Sequence, residues 1–217
     1  MSITQKQLMT ASIGIPVEGL TLLEHYRPSD IIQITFYTDN QGTLVIGFGP
    51  TMDFKDWIID FQIGKATTLI KNRWIKAHKG FLMEYLTENF KVHEYIKSGV
   101  YSNTIITGFS KGAAHGTLCH LDLRLTYPNL KIETQVFATP RVFSCRTTEE
   151  VKDQFLNTEI ASFKRVNLSR DVVSRVPYKW WGYDHVGEEE IIGSPKKWFF
   201  PDFSVHSPEV YLNKVGS

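Results

Sequence analysis

A chain of 217 residues, 42% hydrophobic and 22% charged, has the size and balance of one globular α/β domain with a sizeable buried core, and residues 1–217 are read as a single unit. A formal net charge of +1 without a long basic run gives no electrostatic footprint for nucleic acid, which is excluded as a partner. No stretch is long and apolar enough to span a bilayer, and the N-terminus lacks the basic-then-apolar order of a secretory signal, so a cytoplasmic location is expected, with another export route left open.

In chain order, residues 17–26 read as a helix covering one sheet face before Pro28. Residues 31–38 and 43–48 are rich in β-branched and aromatic side chains and flank Asp39-Asn40-Gln41-Gly42, which predicts a hairpin and an antiparallel start to the sheet. The second strand runs into Phe48-Gly49-Pro50-Thr51. Because Pro50 has no N–H, Thr51 is the candidate donor to an oxyanion there, although an ordinary turn threonine fits the residues equally well. Trp57, Ile58 and Phe61 beyond it suit helix core or a mobile lid alike.

After a basic, exposed-looking stretch at Lys71-Asn72-Arg73-Trp74 comes Ala77-His78-Lys79-Gly80-Phe81. Leu82, Tyr85, Leu86 and Phe90 then share a helical face, with Gly99 as the stop. His78 by itself reads as structural. Next, a β-branched run leads into Gly108-Phe109-Ser110-Lys111-Gly112 and a segment of small and apolar residues, the strand, tight turn and helix of a nucleophile elbow. Glycines two before and two after Ser110 give the clearance that a strained turn needs. The helix behind the serine aims its first N–H groups, Lys111 N–H among them, at the place where a tetrahedral oxyanion would form. The five-residue pattern arises by chance in about one chain of this length in fifteen, so its context matters.

Ala113, Ala114, Thr117, Leu118 and Leu121 give that helix an apolar face, and it ends before Pro128. His115 and His120 on it are expected to pack or face solvent rather than bind metal, because no acid or cysteine stands at ligand spacing. Cys119 and Cys145 are expected as free thiols. Residues 132–138 and 162–168 read as further strands. The second ends in Ser169-Arg170-Asp171, placing Asp171 two strands after the elbow, where the acid of an α/β-hydrolase triad falls. Of the later histidines, His206 lies on a loop before a short final helix, whereas His185 precedes a strand at residues 189–192. Position favours His206 as the base. The fold class is therefore α/β, an α/β-hydrolase-type, mostly parallel sheet flanked by helices, with an antiparallel hairpin near the N-terminus.

These motifs, in this order, resemble the class 3 lipases of fungal triacylglycerol-lipase type. Phe48-Gly49-Pro50-Thr51 resembles the family's oxyanion strand end, His78-Lys79-Gly80-Phe81 its His-x-Gly-Phe, and Gly108-Phe109-Ser110-Lys111-Gly112-Ala113 its Gly-His-Ser-Leu-Gly-Gly. Phe137-Ala138-Thr139-Pro140-Arg141-Val142, the segment around Asp171, Gly182-Tyr183-Asp184-His185-Val186-Gly187, and His206 with Tyr211 match later motifs. The resemblance implies a Ser110, Asp171, His206 triad with His185 structural. Three departures stand out: Phe109 for histidine, no arginine on the oxyanion strand, and Lys111 for leucine. Lys111 is expected to be solvated; the other reading has its ammonium on an anionic substrate group.

The expected activity is hydrolysis of carboxylic esters, lipid esters foremost, through an acyl-enzyme, with Thr51 and Lys111 N–H groups as the oxyanion hole and no metal or organic cofactor. The expected partners are an ester or lipid substrate and transient contact with a lipid surface. The aromatic cluster Tyr178, Trp180, Trp181 and Tyr183 is expected to pack rather than line an acyl pocket. The rival is a lipase-fold module that binds without catalysing. Oligomeric state and the choice among glyceride, phospholipid, short ester and thioester are open at this level.

Overall fold

The computed structural model describes residues 3–28, 32–49, 64–193 and 203–215. Its centre is a seven-stranded sheet in the order β1-β2-β3-β6-β7-β9-β11. β1 (Thr21–Tyr26), β2 (Ile34–Thr38) and β3 (Thr43–Phe48) pair antiparallel, and from β3 onward β6 (Asn103–Phe109), β7 (Ile132–Phe137), β9 (Ala161–Leu168) and β11 (Glu188–Ile192) pair parallel. The inner strands are covered on both faces. That is why β3 and β6 read as nearly unbroken β-branched and apolar runs rather than as alternations.

On one face, Leu44, Ile46, Phe48, Ile106 and Val136 pack with α2 (Lys79–Lys97) and α3 (Lys111–Thr126). On the other, Val45, Ile105, Phe109, Phe137 and Val166 meet α1 (Gln5–Ala11) and α5 (Pro208–Lys214). Each large side chain so buried contributes roughly 1.5–3 kcal/mol. α3 lies directly under the sheet and is buried continuously from Lys111 to Leu123, so the apolar face expected from sequence is part of a helix covered all round. α2 bears Phe81, Leu82, Tyr85 and Val92 inward, while Phe90, expected on the same face, is 55% exposed. Its end is at Ser98, where Gly99 takes φ +68.

One expectation fails here, and one feature goes beyond what was expected. Residues 17–26 are not a helix: Thr21–Tyr26 form the edge strand β1, and the pairing with β2 shifts register between Leu22 and Glu24. The bulge puts Leu22 and Leu23 both at the exposed edge and breaks the two-residue period by which a strand is recognised. Second, the chain forms a further antiparallel sheet, β10-β8-β5-β4, that was not anticipated. In it, β4 (Lys65–Ile70) and β5 (Arg73–His78) make a hairpin whose turn is the basic 71–72 stretch, and β8 (Phe143–Ser144) precedes α4 (Cys145–Val151), with β10 (Tyr183–Asp184) outermost. Cys119 and Cys145 are free thiols, as expected.

His120, expected to pack or to face solvent, is buried in α3 with Nδ1 at 2.8 Å from Thr134 Oγ1 and Nε2 at 2.9 Å from the Gln154 carbonyl. The carbonyl can only accept, so Nε2 carries the proton and Nδ1 accepts the threonine hydroxyl. This suits a neutral ring, and burial pushes its pKa down to about 4. The unfolded chain binds a proton near 6.5 that the folded chain refuses until pH about 4, so stability falls with acidification across that window, by on the order of 3 kcal/mol from this residue. Burial also lowers the pKa of His115 and of His185, which act in the same direction. Thermal melts between about pH 7 and pH 4 should show a steadily falling Tm, less steep in His120→Gln. A Tm independent of pH would contradict the buried neutral imidazoles.

Candidate active site

The residues that gather at one end of the parallel strands come from three loops. Ser110 follows β6 with φ +59 and ψ −122, a conformation rare outside glycine. It is held by its own backbone: its N–H donates to Phe137 O at 3.0 Å, and its carbonyl accepts from Ala113 and Ala114 N–H at 2.9 and 3.3 Å. A Cβ on Gly108 would stand 2.4 Å from Gly112 O, and one on Gly112 would stand 2.0 Å from Phe48 O. The two glycines therefore let the strand, the helix and the end of β3 meet.

His206 leaves a single 3-10 turn at residues 203–205 and precedes α5, which starts with Ser207 as its cap and Pro208 in its first turn. Its Nε2 lies 2.8 Å from Ser110 Oγ and its Nδ1 2.8 Å from Asp171 Oδ2. Asp171 sits beyond β9, fully buried, with Oδ1 accepting from Val173 N–H at 2.8 Å and Oδ2 also accepting from the Tyr211 hydroxyl at 2.7 Å. An ionised carboxylate can only accept, so Nδ1 of His206 carries the proton and Nε2 is left to accept from the serine hydroxyl.

Tyr211 closes this arrangement. Burial and the nearby Asp171 raise its pKa well above the usual tyrosine value, so it stays a phenol that donates to Asp171, and it accepts from Leu168 N–H at 2.9 Å. Phe109, which departs from the histidine of the resembling family, stacks on the His206 ring with centroids 5.0 Å apart and meets Tyr211 edge-on at 5.3 Å. The ring thus packs on a face of the imidazole, while the bonds to Ser110 and Asp171 lie in its plane.

The structure therefore brings together Ser110, Asp171 and His206. His185 stands outside the chain of bonds: its Nε2 donates to Ser174 O at 2.7 Å, bracing the turn after Asp171, and burial, with Arg165 and Arg141 nearby, holds its pKa well below 6.5. Thr51 and the segment with Trp57, Ile58 and Phe61 lie outside the described residues. Lys111 opens α3, where its N–H is one of the four without a partner inside the helix.

The Lys111 side chain corrects the sequence reading. It is not solvated but buried, with Nζ 2.9 Å from both Glu84 oxygens, because α2 places that carboxylate over the first turn of α3. His115 Nε2 bonds Glu84 Oε2 at 3.0 Å. Burial pushes the Glu84 carboxyl up, but the bonds and charges of His115 and Lys111 outweigh it, and its pKa falls below the ordinary value. Glu84 was missed because its partners lie 27 and 31 residues away on another helix. Asn167 was missed as well; it accepts from Thr139 N–H at 3.0 Å and donates to Glu189 at 2.7 Å, joining two strand ends beside the site.

In the aromatic cluster, Tyr183 is buried, but Tyr178 and Trp180 stack at 4.3 Å with Trp180 75% exposed, so packing describes only part of it. No group of three His, Cys, Asp or Glu side chains among the described residues is arranged to hold a metal ion. Nor is any helix among them long and apolar enough to cross a membrane.

Residues 45–180 match the family described as lipase (class 3). A lipase of Rhizomucor miehei is 30% identical over 166 residues, covering 70% of this chain and 42% of that protein, and a lipase of Rhizopus niveus is 29% identical over 175 residues, covering 76% and 43%. The chain thus spans less than half the length of the relatives it matches. Among solved structures, a triacylglycerol lipase described as having a serine protease triad at its catalytic centre superposes with TM-score 0.70 at 24% identity, over 82% of this chain and 68% of that one. Lipase II from Rhizopus niveus gives 0.69 at 24% identity, over 81% and 68%. At such identities the superpositions carry the fold alone.

Proposed function

We propose, from the premise that the chain belongs to the class 3 lipase family, that it is a serine hydrolase of carboxylic esters. The observation that carries the reading is the continuous chain from Ser110 Oγ to His206 to Asp171, with 2.8 Å at each link. Ser110 Oγ attacks the ester carbonyl carbon as its proton passes to His206 Nε2, and Asp171 stabilises the imidazolium. The carbonyl oxygen becomes an oxyanion facing Lys111 N–H, with Thr51 as the second donor of this scheme. His206 then gives its proton to the departing alcohol oxygen, leaving an acyl group on Ser110. Water, deprotonated by His206, attacks the acyl carbon and releases the acid and the free serine.

The substrates are proposed to be lipid esters, supported by the fact that the Rhizomucor and Rhizopus relatives are lipases. The test is a series of p-nitrophenyl esters from acetate to decanoate beside the matching anilides. Turnover of esters with a preference among acyl lengths, and little of the anilides, is expected. No ester turnover with or without detergent would overturn the reading, and equal turnover of anilides would make the protein an amidase.

A further inference from the structure

An ion pair touches the nucleophile helix at its first residue and has no place in the mechanism above. Lys111 and His115 are four residues apart, so they share a face of α3, and both reach the same carboxylate. Glu84 accepts from Lys111 Nζ on both oxygens at 2.9 Å and from His115 Nε2 at 3.0 Å. The Lys111 and His115 side chains are 6% and 1% exposed. With Nε2–H donating, His115 keeps a bare lone pair on Nδ1, and that atom is buried without a partner among the described residues. A neutral ring tolerates this, and burial lowers the pKa of His115 accordingly. The cluster is thus one ammonium, one carboxylate and one neutral imidazole, with no net charge.

Its position gives it a consequence. Gly112 presses the first turn of α3 against the carbonyl of Phe48, and Glu84 ties the same turn to α2 from another side. Lys111 directly precedes Gly112, so its N–H belongs to the turn that both contacts hold. An ammonium on the first turn opposes the helix dipole, and without a counter-charge the side chain would leave for water, taking the orientation of its own backbone with it.

We propose that Glu84 is a positioning residue for ester hydrolysis: its carboxylate, clamping Lys111 and His115, fixes the first turn of α3 so that Lys111 N–H points at the oxyanion. This rests on the hydrolase reading of Ser110. Misdirecting a donor in a preorganised site costs rate in the transition state and little in ground-state binding.

The test is steady-state hydrolysis of p-nitrophenyl butyrate by wild type, Glu84→Ala and Glu84→Gln, with kcat expressed per site titrated to completion with a fluorophosphonate. Glu84→Ala is expected to lower kcat about tenfold or more with KM within about twofold, and Glu84→Gln, which keeps volume and one acceptor, to fall between. The two rival roles give other signs. If the carboxylate acted only through its field, removing it would leave the Lys111 ammonium to attract the oxyanion and kcat would rise. If it served folding alone, Tm would drop while kcat per titrated site stayed at the wild-type value. Either result overturns the proposal and leaves Ser110 as nucleophile intact. Should Glu84→Ala not fold, Glu84→Gln decides by the same criteria. A wild type that neither turns over the ester nor takes the label would instead overturn the hydrolase reading, and this one with it.

Discussion

Replacing Ser110 with alanine is expected to lower kcat for ester hydrolysis by on the order of 10⁴-fold or more, because the oxygen that His206 Nε2 is placed to deprotonate is the one removed. Residual activity would come from water held near the oxyanion donors. The fold should barely notice. The Ser110 side chain caps nothing, and alanine meets the same cost at φ +59 that serine already bears. The lost hydrogen bond is worth about 1 kcal/mol, so Tm should move by only a few degrees. Kinetics and a melt on the same sample separate the two effects. A variant that keeps a tenth of the activity would place the nucleophile elsewhere.

Gly112→Ala should do the reverse, striking structure first. The added Cβ would lie 2.0 Å from Phe48 O and 2.8 Å from Gly49 O, both backbone atoms at the end of β3, and no rotamer change can relieve a backbone clash. Either α3 lifts from the sheet or the β3 end shifts. Overpacking of this kind costs about 3 kcal/mol, which for a chain of this size lowers Tm on the order of 10 °C. The same shift would move the Lys111 N–H, so the surviving folded fraction should be nearly inactive. Gly116→Ala is the milder control, since its Cβ would meet Val136 Cγ1 at 3.1 Å, Ile106 Cγ2 at 3.5 Å and backbone only at Thr107 O, 3.7 Å away, and stands more than a turn from Ser110. A Gly112→Ala protein with wild-type Tm and kcat would contradict the close approach.

The elbow was legible because its physics is local. Gly108 and Gly112 are needed within two residues of Ser110, and the strand and helix on either side announce themselves by buried β-branched and small residues. Asp171 and His206 were legible by chain order. β1 was not, because the bulge between Leu22 and Glu24 sets two leucines side by side and cancels the period of a strand. Two of the second sheet's four strands were hidden for a different reason: β8 and β10 have two residues each, too few for any period, and exist only through pairing with β5 and with each other. The fate of the Lys111 side chain depended on Glu84, whose approach is set by how α2 packs on α3. Sequence could register that a lysine on a helix's first turn is costly, but not which carboxylate offsets it.

The departure at Phe109 shows the same division. As a residue type it removes a polar group beside the nucleophile. In the fold its ring stacks on His206 and touches Tyr211, so an aromatic side chain supplies by packing an orientation of the base that hydrogen bonds already favour.

The central claim is that Ser110 is activated by His206 and Asp171. It is tested most directly by intact mass after treatment with a fluorophosphonate, followed by mapping of the labelled peptide, in wild type and in Asp171→Asn. One adduct per chain on Ser110 in the wild type is expected, formed far more slowly in Asp171→Asn because the asparagine favours the wrong imidazole tautomer. No adduct, or an adduct on another residue, would contradict the account.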